Sequence, residues 1–281
     1  MIREVDTMLI TKAVKELCIK ATHELSPDMA KALHEAREKE TKPLAKEILE
    51  QLEENLRIAK RERIPICQDT GMAVLFVEVG QDVHFVGENV GEAIQKGVRA
   101  GYEEGYLRKS VVADPLLREN TGDNTPAIIH YELVPGDKVH ITFTAKGFGS
   151  ENMSRICMLK PADGEEGVME QIVETVRLAG PNACPPLVIG VGLGGDFELA
   201  AKMAKHALTL PVTERAAKPH IRRIEEETLR RINALQIGPA GLSGDTTAFA
   251  LHIETYPTHI AGMPLAVNIC CHVNRHESVW I

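Results

Sequence analysis

The sequence predicts a mixed α/β (α+β) protein in which a helical N-terminal layer packs on a mixed-sheet body. Three observations predict it. Apolar positions across residues 7 to 60 recur at intervals of three and four, the spacing of one helix face. Near residue 73 that period gives way to a β-branched run. Strand-like and helical segments then alternate to the end of the chain. Neither a repeat nor a low-complexity linker interrupts the 281 residues. A single domain over 1–281 is therefore expected, with 1–62 as the mainly helical layer and 63–281 as the α/β body.

Each element has its own signal. Met8, Leu9, Val14, Leu17, Cys18 and Ala21 mark the first amphipathic helix. Ser26-Pro27-Asp28 reads as a second helix start, with Ser26 as cap and Pro27 at the first helical position. A third, charged helix from about Lys42 to Lys60 carries Leu44, Ile48, Leu52 and Leu56 on one stripe. Residues 73–79 read as a strand and 90–104 as a helix. Two β-rich runs, 127–133 and 139–145, are joined by a Pro135-Gly136-Asp137 turn. Helices are expected at 166–178, 197–208 and 214–235. Strands are expected at 187–191, 246–254 and 264–271.

The formal net charge is −8, and no Lys/Arg-rich block occurs, which argues against nucleic acid as a partner. No stretch reaches the roughly 20 apolar residues that span a bilayer, and the first residues lack the apolar segment of a secretory signal. Six cysteines, at 18, 67, 157, 184, 270 and 271, show no compact disulfide spacing. Reduced thiols and a cytoplasmic location are expected.

Three cysteine segments stand out. In Ile66-Cys67-Gln68-Asp69-Thr70-Gly71 a thiol neighbours an amide, a carboxylate and a hydroxyl, in a turn between helix and strand. Alone, Cys67 reads more readily as a half-buried structural thiol followed by a polar turn. Cys184 precedes Pro185 and Pro186, which remove backbone donors and stiffen the chain, and this suits metal ligation or a buried loop. Cys270 and Cys271 are adjacent at a strand end, so their side chains point oppositely and one of the two faces a site. His272 and His276 follow, as possible ligands or as solvated residues. Cysteines so far apart in the chain exclude a local zinc knuckle. Iron–sulfur clusters take cysteine ligands, and a cubane held by three thiolates keeps one iron open as a Lewis acid.

Together with Leu107-Arg108, Lys146-Gly147-Phe148-Gly149-Ser150-Glu151, Pro181 to Pro186, Gly238 to Thr247 and Cys271 to Arg275, these segments fall in a family order. Over essentially its whole length the chain resembles the α subunit, or cluster-binding part, of class I fumarases and the related L-tartrate dehydratases. The resemblance implies a 4Fe-4S cluster with one open iron, held by Cys67, Cys184 and Cys271. It prefers Cys271 over Cys270 because the family spacing puts Arg275 four residues after the ligand. It implies that Gln68 and Asp69 line the substrate pocket, that Arg108 pairs with a substrate carboxylate, and that Gly149 lets backbone approach the substrate. His259 matches a histidine that the family places near the site, so His259 and Asp69 are the candidates for proton transfer. Lys146, Arg155 and Arg275 are weaker anion candidates. Cys18 and Cys157 are left as packing residues.

Two glycine-rich runs need a separate reading. Gly190-Val191-Gly192-Leu193-Gly194-Gly195 follows a strand and precedes a helix, as a dinucleotide fingerprint does, but Glu214 is a poorly placed ribose acid. It is read as close backbone packing near the cluster. The Gly238–Thr247 run lacks the lysine of a P-loop, and the resemblance assigns it to the pocket wall.

The implied reaction is reversible hydration of a small dicarboxylate, fumarate to L-malate. The fused enzymes carry a further C-terminal portion with more substrate-binding groups. A β subunit partner in an α2β2-like assembly is therefore expected. The alternatives are an L-tartrate dehydratase α subunit, an NAD-binding subunit using the Gly190–Gly195 run, and a thiol or metal sensor.

Overall fold

The structure, a computed structural model, describes residues 2–281. In chain order its elements are β1 (Arg3–Asp6), α1 (Thr7–His23), α2 (Pro27–Lys39), α3 (Pro43–Glu62), β2 (Met72–Gly80), β3 (Val83–Val86), α4 (Val90–Glu104), β4 (Ile128–Val134), β5 (Val139–Lys146), α5 (Phe148–Glu151), β6 (Arg155–Leu159), α6 (Gly164–Ala179), β7 (Leu187–Gly195), α7 (Phe197–Ala207), α8 (Pro219–Ala234), β8 (Ala248–Thr258), β9 (Met263–Cys270) and β10 (His276–Trp280). The class is mixed α/β, as the sequence predicts. The chain divides into two compact units. Unit 1 is Met1–Ser26, Asn55–Gly147 and Arg275–Ile281, and unit 2 is Pro27–Glu54 and Phe148–Asn274. Of the N-terminal helices, α1 belongs to unit 1 and α2 to unit 2.

Unit 1 is built on a mixed sheet of order β10-β5-β2-β4, beside a small parallel pair, β1 with β3. Along β2 and β5 alternate residues, among them Ala73, Leu75, Val77, Ile141, Phe143 and Ala145, face one side and are buried there. Helices α1 and α4 cover that side with Ile10, Val14, Leu17, Ile94, Val98 and Tyr102. Asp6 starts α1 by accepting the Met8 N–H at 2.8 Å, and Asn89 starts α4 in the same way through Gly91 and Glu92. The two helices meet closely because α4 turns Gly97 and Gly101 toward α1. A Cβ on Gly101 would lie 2.7 Å from the Cβ of Cys18. Burial in that seam pushes the Cys18 thiol pKa up and keeps it protonated.

The Pro135-Gly136-Asp137 turn forms, yet the strands it joins are not neighbours. Strand β2 lies between them, parallel to β4 and antiparallel to β5. The turn instead closes over the end of β2: Gly80 N donates to Lys138 O and Gln81 N to Val134 O, each at 2.8 Å.

Unit 2 has a sheet of order β6-β9-β7-β8. One face packs Ile189, Val191, Leu251, Ile253, Leu265 and Val267 against α6 and α8. On the other lies α7, with Ala200 and Ala204 against Ala266. Gly190 and Gly192 of β7 sit under this helix. A Cβ at Gly192 would fall 2.0 Å from the Ala200 carbonyl oxygen, and one at Gly190 2.1 Å from that of Ala204. Here the glycine-rich run is packing, as expected. Its helix also begins with a carboxylate, since Asp196 accepts the Leu199 N–H at 3.0 Å. An anionic cap repels the pyrophosphate that a dinucleotide would place at that helix terminus.

Two local expectations fare differently. Pro27 does occupy the first position of α2, but Ser26 does not cap it, because its buried Oγ has no hydrogen-bond partner among the described residues. Helix α8 starts at Pro219, later than expected, because residues 211–214 form a turn closed by Glu214 N to Pro211 O at 2.8 Å. Among the described residues no helix is long and apolar enough to cross a membrane.

The contact of α7 with β7 has a direct test. Gly192→Ala forces backbone apart at a site with no flexible neighbour, and it is expected to lower unfolding free energy by about 3 kcal/mol. Urea denaturation of the variant checks this. Unchanged stability would show that the helix does not rest on the strand.

Candidate active site

In unit 1 the segment between α3 and β2 carries Cys67, Gln68 and Asp69 on irregular backbone, which must find hydrogen bonds outside any ladder. Ile66 N donates to Thr22 O at 3.0 Å, and the Asn55 amide donates to Ile66 O at 2.9 Å. Asp69 Oδ1 closes the turn on Gly71 N at 3.0 Å. Gly71 takes φ +78°, and a Cβ there would meet β5 backbone at 2.8 Å, so the turn accepts only glycine at this point. The Tyr102 hydroxyl lies 3.0 Å from the carbonyls of both Thr70 and Gly71, and the Asn124 amide donates to Gly71 O at 3.2 Å. Burial pushes the Tyr102 phenol pKa up, so it remains a donor.

Cys67 and Asp69 are half-buried on this support, and Gln68 is exposed. Arg108 is brought to the same place. Its carbonyl accepts the Thr70 hydroxyl at 3.1 Å, and its Nη1 donates to Gln68 Oε1 at 3.0 Å. An exposed guanidinium and an exposed amide thus stand side by side, a pair suited to a small carboxylate. Lys146 and Arg275 lie nearby but are buried, so they do not share that surface.

In unit 2 the Cys184 segment follows a one-turn helix over Gly180–Ala183. Cys184 is exposed and left-handed, at φ 53° and ψ 64°. Its carbonyl is the anchor: His272 reaches it with Nδ1 at 3.0 Å and with its backbone N–H at 3.4 Å. Cys184 and the Cys271–His272 segment are therefore tied together. His272 serves as the tie, with one ring nitrogen engaged. Cys270 ends β9 and is buried, whereas Cys271, just past the strand, is half-buried. The Gly238–Thr247 run braces this end. Ala240 N donates to Pro185 O at 2.9 Å, and Gly241 approaches Pro181 so closely that a Cβ would lie 2.3 Å from it. Gly149 joins from α5, where a Cβ would lie 3.7 Å from Asn182 O.

His259 does not join them. It is exposed in the turn between β8 and β9, and its Nδ1 accepts Ala261 N at 3.2 Å. Strand β9 separates that turn from Cys271, and its eight residues span about 25 Å.

Among the described residues, no group of three or more His, Cys, Asp or Glu side chains stands ready to hold a metal ion. Unit 2 carries two accessible thiols, Cys184 and Cys271, at one end of its sheet, and unit 1 carries Cys67 on its own turn. Soft thiols of this kind suit an iron–sulfur centre. Cys18 and Cys157 do not, because burial raises both thiol pKa values.

Sequence reasoning missed Asn55, Tyr102 and Asn124. Tyr102 falls at a helix packing position, and Asn124 within a turn-rich Thr121–Pro126 stretch; neither pattern reveals a distant carbonyl partner.

The chain's relatives are consistent in kind. The fumarate hydratase (Fumerase) family model matches residues 11–280. A Methanocaldococcus jannaschii protein named "Putative L(+)-tartrate dehydratase subunit alpha" is 39% identical over 274 residues, covering 95% of this chain and 96% of the relative. The Escherichia coli K12 protein named "L(+)-tartrate dehydratase subunit alpha" is 27% identical over 276 residues, covering 97% and 90%. With a family model spanning nearly its full length, this chain belongs to the fumarate hydratase family.

Proposed function

We propose that residues 1–281 act as one catalytic domain, the α subunit of a hydro-lyase that reversibly hydrates fumarate to L-malate. In this reading Cys67, Cys184 and Cys271 would hold a 4Fe-4S cluster. When bound, such a cluster supplies an open iron, a Lewis acid toward a substrate oxygen. The remaining work falls to the chain's own groups. Arg108 and Gln68 orient one substrate carboxylate, the guanidinium donating to it. Asp69, beside them on the same turn, is the group that takes or returns the proton. The backbone at Gly149, without a side chain, lets substrate approach. A β subunit supplies the remaining substrate contacts, in an α2β2 assembly. The observation that carries the reading is the Arg108–Gln68 pair beside Cys67, on a turn braced by buried hydrogen bonds.

A second reading, an L(+)-tartrate dehydratase α subunit, has a specific observation in its favour: the relatives described above carry that name. The two share the same residues and differ in substrate. Relative kcat/KM for L(+)-tartrate and L-malate with the partner subunit decides between them, and turnover of neither defeats both.

Two further outcomes are expected. Anaerobic reconstitution with iron and sulfide should give bound iron and, after one-electron reduction with dithionite, a cluster EPR signal. Cys67→Ser, Cys184→Ser and Cys271→Ser should each lose most of both, whereas Cys157→Ser keeps them. Retention by all three variants would rule out the ligand set. Arg108→Met in the assembled enzyme removes a charge-assisted hydrogen bond and should lower kcat/KM about 10–100-fold. An unaltered value would show that Arg108 does not bind the substrate.

A further inference from the structure

We propose that Arg275 is a positioning residue: its buried guanidinium fixes the Cys67–Gly71 turn through the Asp69 carbonyl, and so sets where Cys67, Gln68 and Asp69 face. The inference rests on the reading of that turn as substrate-facing.

Arg275 is 2% exposed, among the largest fully buried side chains of the chain. Its Nη1 donates to Asp69 O at 2.6 Å, a short contact between a full charge and a backbone carbonyl. Its main chain is occupied separately, because Arg275 O accepts Ala145 N at 3.1 Å and the Thr144 hydroxyl at 3.0 Å. Docking of this segment on β5 therefore needs no guanidinium. Among the described residues its buried Nε–H has no acceptor. A donor left in that state is destabilising, and a methionine of similar length would avoid it. The fold alone gives no reason for an arginine here. The turn does.

Gly147 supplies the second line of argument. A Cβ there would lie 3.2 Å from Asp69 Oδ2 and 3.3 Å from Arg275 Nη2. The missing side chain leaves room for the carboxylate and the guanidinium to flank the same point. Asp69 is thus held on both sides of its residue: its carbonyl by Arg275, and its carboxylate by Gly71 N.

The test uses the full chain, metal-free and reduced, with iodoacetamide as probe and peptide mass mapping of each cysteine. Arg275→Gln and Gly147→Ala should both speed alkylation of Cys67 several-fold while buried Cys18 stays unreactive. Arg275→Lys, which keeps one donor, should remain nearer the parent rate. In the assembled enzyme Arg275→Gln should lower kcat/KM about tenfold or more, since small misplacements of reacting groups are costly. A parent-like Cys67 rate in Arg275→Gln overturns the proposal. If that variant unfolds, Cys18 reacts in step with Cys67, and Gly147→Ala then decides, a parent-like rate again overturning it. An assembled parent enzyme that turns over neither tartrate nor malate defeats the hydro-lyase reading, while the alkylation rates still decide the role of Arg275.

Discussion

Irregular backbone can be buried only when something other than a neighbouring strand accepts and donates its hydrogen bonds. Unit 1 meets that constraint at the Cys67–Gly71 turn with Tyr102, Asn124 and Asn55, side chains from a helix, a loop and another helix. The sheet, the α1–α4 seam and the Arg108 segment are arranged so that these groups converge. Tyr102 links the apolar core to the polar turn: its ring packs with Ile94 and Val98 while its hydroxyl serves two carbonyls. Rigidity in the core is thereby passed to residues at the surface.

Unit 2 solves the same problem with fewer parts. Cys184 adopts a left-handed backbone that a side chain adopts reluctantly, and His272 holds its carbonyl there. Prolines 185 and 186 leave no spare donors in the segment, so its outward carbonyls become attachment points for Ala240 and His272. The glycines under α7 have a comparable logic. Closeness between helix and strand is achieved by omission of side chains, and that makes β7 a firm base for the segment entering it.

The periodic elements were legible in the sequence because their signals are local. Helix α4 follows its expected bounds, and α7 ends within one residue of them, since apolar spacing and a cap lie within the element itself. Strands β1, β3, β6 and β10 were not anticipated. Each has four or five residues and owes its existence to a partner distant in the chain. The Pro135–Asp137 turn was visible, but nothing near it announced that β2 would lie between its two strands. The same divide runs through the candidate site. Arg108, Gln68 and the cysteines are candidates that motifs single out; the carbonyl-binding roles of Tyr102, Asn124 and His272 depend on distances no local pattern encodes. His259 lies in the turn between β8 and β9, with the whole of β9 between it and Cys271.

Unit 1 is assembled from three stretches of chain, and the last of them, Arg275–Ile281, supplies β10 at the edge of its sheet. During synthesis the first two stretches emerge early, and then wait while the whole second stretch of unit 2 is made. Through that interval Cys67 and its neighbours lack both an edge strand and the guanidinium at Asp69. The thiol-bearing turn is therefore completed only after the segments of Cys184 and Cys271, which precede Arg275 in the chain, have been made.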